Sequence, residues 1–115
     1  MKRYVKSSTE YKRIKDELEA ELEDGIDPLH ELTEAGEYVN YLCSSVEDEL
    51  NVYAEPSVQA GQGGVWFYDN TTDETVAGGY DYQDFNNKIV ELALEASNEG
   101  EFKSSYKSYL ERMIG

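Results

Sequence analysis

At 115 residues the chain is long enough for one hydrophobic core and too short for a deep cleft with a separate cofactor module. Asp and Glu number 25 against 10 Lys and Arg, and the resulting formal charge of −15 excludes attraction to bare nucleic acid or an anionic membrane, except through a short basic arm. The one cysteine, Cys43, excludes an internal disulfide and a cysteine-based zinc site, and its apolar neighbours at helical spacing predict a buried thiol.

Taken in chain order, the first segment is "MKRYVKSST", basic but without the apolar run that a secretory signal needs after its charges, which predicts a cytoplasmic protein. Thr9 is placed to cap a first helix in which Tyr11, Ile14, Leu18 and Leu22 recur at three- and four-residue spacing, and Gly25 stands where a C-terminal cap belongs. Asp27 and Pro28 open a second helix as N-cap and first helical residue. Its apolar stripe runs Leu29, Leu32, Val39, Leu42, Cys43, Val46 and Leu50, with Thr33 and Gly36 as points where it divides into a short and a longer helix.

From Asn51 the pattern turns to short segments rich in Tyr, Val and Thr. "NVYAEPSVQ" reads as an edge strand because Pro56 has no N–H for a ladder, and "VWFYD" and "ETVAGGYDY" flank the polar turn "NTTD" as a hairpin. Asp84 is the expected cap of a third helix carrying Phe85, Ile89, Leu92, Ala93 and Ala96, and Phe102, Tyr106, Leu110 and Met113 form the stripe of a fourth after Gly100. The prediction is a single α+β domain over residues 1–115: two N-terminal helices, a small three-stranded antiparallel sheet and two C-terminal helices. Leu18, Val39, Leu42, Trp66, Phe85, Ile89 and Leu110 are its expected core.

A search for catalytic and metal-binding groups finds little. His30, the only histidine, lies on the polar side of the second helix, and Cys43 lies on another face of that helix if it is continuous, so the two form no nucleophile–base pair. The turn Asp69 to Glu74 is rich in oxygen ligands, but a calcium loop starting at Asp69 would need a glutamate where Tyr80 stands and a glycine at its sixth position. "GQGG", Gly61 to Gly64, precedes a strand and not a helix, so it reads as a turn without phosphate-binding function. The expectation is a protein that is not an enzyme and holds no metal or cofactor.

Charge is the one feature left over. Residues 16–87 carry 19 acidic residues and no Lys or Arg, between a basic block (net +5) and a C-terminal block (net −1). A solvated face is the plain explanation of such a run. Projected at roughly 100° per residue, however, Glu34, Glu37, Tyr41 and Asp48 share one outward side of the second helix, and Asp16, Glu19 and Glu23 turn outward on the first. Two adjacent helices would present rows of carboxylates stepping by ~5–6 Å, likened to the two strands of a duplex with roughly 3.4 Å between charges along each.

With the start "MKRYVKSST", the acidic segment "DELEAELED" and the α+β layout, the chain resembles small phage- or prophage-encoded accessory proteins, among them anti-CRISPR and antirestriction proteins that imitate DNA. That resemblance implies a non-enzymatic inhibitor in the host cytoplasm. Its partner would be a basic nucleic-acid-binding protein, such as a CRISPR-associated nuclease or a restriction enzyme, with no direct contact to nucleic acid or membrane. The seven partner-facing positions come from the helical projection and not from the resemblance. The alternative is a structural or adaptor module, homodimer included, whose tyrosines and sheet edge form an ordinary protein interface.

Overall fold

The computed structural model describes residues 8–57 and 64–114. The basic arm before residue 8 and Gly61–Gly63 of the "GQGG" turn lie outside them. In order along the chain are α1 (Ser8–Glu23), α2 (Pro28–Glu31), α3 (Glu34–Glu49), β1 (Val52–Ser57), β2 (Gly64–Asp69), β3 (Thr75–Asp81), α4 (Tyr82–Glu95) and α5 (Glu99–Ile114). The three strands form an antiparallel sheet in the order β1-β2-β3, so β1 is an edge, as Pro56 predicted. This is the expected α+β class.

Local chemistry explains each boundary. α1 is already helical at Thr9, its expected cap, and ends where Gly25 takes φ 79°. Asp27 caps α2 by accepting from the His30 N–H, with Pro28 at the first turn. The predicted second helix is divided: Leu32 turns left-handed at φ 53° and Thr33 starts α3 by accepting from the Gly36 N–H. Leu32 is consequently 55% exposed, and its expected place in the apolar stripe is corrected. Asp81, and not Asp84, caps α4, because the chain is already helical at Tyr82 and the Asp84 N–H is the donor that Asp81 accepts. α5 starts before Gly100, with Asn98 accepting from the Glu101 N–H while the Glu101 carboxylate takes the Ser97 N–H.

The helices cover one face of the sheet. Val65 and Phe67 point into a core that holds Ile14, Leu18, Val39, Leu42, Val46, Ile89, Phe102 and Leu110. Strand alternation sends Trp66 to the opposite face, so its expected burial in the core is corrected. There its ring lies across Gly78, where an added Cβ would stand 1.9 Å from Trp66 Cδ1. Tyr53 and Tyr68 stack beside it at 5.2 Å between ring centres. Leu22, the last of the spaced residues of α1, is 42% exposed and borders a groove against Val90 and Leu94 of α4.

Tyrosine hydroxyls tie the helices to one another and to the sheet. Tyr11 donates to the Ala93 carbonyl at 2.6 Å, Tyr38 to Glu99 Oε2 at 2.8 Å, Tyr106 to Glu47 Oε2 at 2.8 Å and Tyr80 to the Met113 carbonyl at 3.0 Å. Burial of the rings and satisfaction of the hydroxyls together account for a core in which three of the largest fully buried residues are tyrosines. Among the described residues, no helix is long and apolar enough to cross a membrane.

Candidate functional site

Helices α1 and α3 pack against each other and carry the seven predicted positions. Asp16, Glu19 and Glu23 on α1 and Glu34, Glu37, Tyr41 and Asp48 on α3 are all exposed, because the opposite faces bury Ile14 and Leu18, and Val39, Leu42, Cys43 and Val46. On α3 the four positions form one row. The two helices do not, however, merge their rows into one strip. Contacts from Thr33 Oγ1 to Glu21 Oε1 at 2.8 Å and from Arg13 to Glu34 at 3.3 Å show that α3 lies beside the Glu10, Glu17 and Glu21 side of α1. Asp16, Glu19 and Glu23 sit roughly 145° round the α1 axis from that side.

Two further carboxylates, Glu91 and Glu95, belong to the groove between α1 and α4 beside Leu22. Lys88 pairs with Glu91 at 3.3 Å. On α1, Lys12 and Lys15 precede Asp16 and Glu19 by four residues each, so cations begin this strip, whereas α3 contains no Lys or Arg. Arg13 is the cation at the α1–α3 corner: it holds Glu10 at 2.9 Å, Glu17 and Glu34, and these carboxylates raise the guanidinium further above its ordinary value.

The Asp69–Glu74 turn is closed by its own hydrogen bonds. Asp69 Oδ1 accepts from the N–H groups of Thr71 and Thr72 at 2.8 and 2.9 Å, which lowers its carboxyl below the ordinary value, and Tyr53 donates to Asp73 at 3.0 Å. Among the described residues no group of three or more His, Cys, Asp or Glu is arranged to hold a metal.

The expectation that His30 and Cys43 lie on separate faces of one helix is corrected by the break at Leu32 and Thr33. Folding of α2 against α3 brings both residues to the border of one cavity, with His30 exposed and edge-on to Tyr82 at 6.2 Å. Burial pushes the Cys43 thiol well above its ordinary value, so the thiolate that nucleophilic chemistry requires is disfavoured.

Sequence reading passed over Glu47 and Asn86 on this cavity and gave Tyr106 only as part of a helical stripe. Burial holds the Glu47 carboxyl above its ordinary value, against the lowering effect of hydrogen bonds from Tyr106 and the Ala54 N–H. Tyr106, buried and beside both Cys43 and Glu47, is likewise raised. Asn86 is 6% exposed and its Nδ2 has no hydrogen-bond partner among the described residues. A buried amide left without a partner costs about 1–3 kcal/mol. The signal was available: Asn86 occupies a position in the otherwise apolar helical series that continues with Ile89, Val90 and Ala93.

No protein-family model matches the chain, and no curated protein or solved structure matches it either.

Proposed function

We propose that this protein is a non-enzymatic inhibitor that imitates the charge of DNA and occupies the basic nucleic-acid groove of a host defence nuclease. The observation that carries the reading is the α3 row: Glu34, Glu37 and Asp48, exposed with Tyr41 on a helix that contains no cation, within 72 residues free of Lys and Arg. Like charges three and four residues apart destabilise a helix by a few tenths of a kcal/mol per pair. Interspersed lysines would remove that penalty and keep the protein soluble. A basic groove explains why they are absent, since each cation would repel the groove or pair with a carboxylate that should meet it. The exposed Asp16, Glu19 and Glu23 of α1 supply a second acidic flank in this reading.

A second reading, an adaptor or homodimer interface, has one specific observation in its favour. Helices cover a single face of the sheet, and Tyr53, Tyr68 and Trp66 lie on the other. Against it, Tyr11, Tyr38 and Tyr106 are committed to the core and are withdrawn from any interface.

Salt separates the two readings. Capture of partners from a host lysate on the immobilised protein, at about 50 mM and about 200 mM salt, should retain a basic nucleic-acid-binding protein that duplex DNA displaces and salt releases. Retention that is indifferent to salt and to DNA would support the apolar interface instead.

A further inference from the structure

We propose that the groove between the C-terminal end of α1 and α4 docks an amphipathic helix of a partner protein, one whose apolar face is flanked by Lys and Arg. The groove has two stretches, of about 350 and 220 Å³, and Leu22, Asn87 and Val90 line both, which makes them continuous. Along α4 the lining runs from Gln83 to Glu95, a span of about 18 Å at about 1.5 Å per residue, or roughly three helical turns. Leu22, Val90 and Leu94 supply its apolar surface. Leu22 is 42% exposed, and with Val90 it lies outside the main core.

Charge and backbone chemistry select the occupant. The charged side chains of the lining are Asp27, Glu91 and Glu95, and among the described residues no Lys or Arg lines either stretch. Lys88 engages Glu91 at 3.3 Å, and the rim stays net negative. A second copy, at −15, and an anionic membrane would both be repelled, whereas a basic flank is attracted. Both walls are helices, whose backbone N–H and C=O groups are bonded within the helix, so an extended peptide finds no ladder partners here. A docking helix satisfies its own backbone. Val90 and Leu94 stand one turn apart, the spacing at which apolar residues recur on an amphipathic helix. The site shares no residue with the α3 row and stands without the mimic reading.

The experiment uses the full chain, labelled with ¹⁵N, at about 150 mM salt, where exposed charges more than about 8 Å apart are screened. The probe is a capped Leu/Lys peptide of about 14 residues with leucines at i, i+3, i+4 and i+7. One control has the same composition shuffled so that no apolar face forms, and the other replaces every lysine by glutamate. The probe should shift the backbone amides of Leu22, Asn87, Val90 and Leu94 saturably, and both controls should bind about tenfold more weakly or worse. Leu22→Ser, at an exposed position, should keep the fold and weaken binding about tenfold, equivalent to about 1.4 kcal/mol. Glu91→Gln with Glu95→Gln should weaken it severalfold and flatten its salt dependence. The parent's own shift map keeps the test decisive if a variant does not fold. Four results would each overturn the assignment: no saturable shifts in the groove, equal binding of either control peptide, undiminished binding by a folded Leu22→Ser or double Gln variant, or shifts at Leu22 and Val90 that follow protein concentration without peptide, which would give the groove to a second copy.

Discussion

Arg13 on α1 reaches Glu34 on α3 at 3.3 Å while holding Glu10 and Glu17 on its own helix, so one guanidinium bridges the corner where the two acidic helices meet. Its exposure means that solvent screens these contacts, and the fold does not depend on them. Replacing it, Arg13→Gln, should leave the melting temperature nearly unchanged while removing the one positive charge that Glu10, Glu17 and Glu34 share. Surface plasmon resonance against the captured partner should then show faster association and a steeper dependence on salt. Slower association would mean that Arg13 itself touches the partner.

The Glu47 carboxyl gives the fold a pH dependence of known sign. A carboxyl whose folded value lies above its ordinary 4.5 stabilises the fold fully below that value, and the contribution is lost as pH rises through the folded value. Glu47→Gln keeps an oxygen for the Tyr106 hydroxyl and has no charge to lose. Denaturant titrations from about pH 4 to about pH 7 should therefore show the variant gaining stability relative to the parent as pH rises. A pH-independent difference would show that Glu47 titrates normally.

Two glycines make opposite predictions for the same substitution. At Gly36 an added Cβ would stand 1.9 Å from the Pro28 carbonyl oxygen, a backbone atom that moves only if α2 lifts off α3. Gly36→Ala should cost about 1–3 kcal/mol despite alanine's better helix propensity. At Gly78 the obstacle is the Trp66 ring, which can swing away from the sheet. Gly78→Ala should red-shift the emission of this single tryptophan with a smaller loss of stability. Equal losses at the two positions would refute the distinction between backbone and side-chain obstruction.

Leu42 and Leu32 lie ten residues apart in the sequence and differ entirely in surroundings, one fully buried and the other 55% exposed. Leu42→Ala should cost about 2–5 kcal/mol and Leu32→Ala less than about 0.5 kcal/mol in urea unfolding. Similar midpoints for the two variants would place the break between α2 and α3 elsewhere.

Much of this architecture was legible in the sequence because its signals are local. Asp27-Pro28, the spacing of Ile14 and Leu18, and the polar turn after Asp69 each act within a few residues, and each element formed where those signals stand. What the sequence left obscure depends on tertiary placement. Trp66 follows a buried valine and precedes a buried phenylalanine, and only strand alternation, with Gly78 opposite, tells that it faces away. The exposure of the acidic positions followed from helical periodicity, but their division into two strips did not, since the contact of Arg13 with Glu34 depends on how α1 and α3 dock. Glu47 and Asn86 escaped because charge and polarity read as surface until the surrounding elements bury them.

The measurement closest to the central claim is the association of the captured partner with two charge-reversed variants at several salt concentrations. Glu34, Glu37 and Asp48 changed together to lysine remove the α3 row, while Glu55, Glu74 and Glu111, exposed on β1, in the turn before β3 and on α5, change the net charge equally as a control. If the row meets a basic groove, the first variant should associate far more slowly, with a shallower salt dependence and no competition with DNA, and the control should stay close to the parent. Equal association rates for the two variants would contradict the account and reduce the α3 carboxylates to a solvated face.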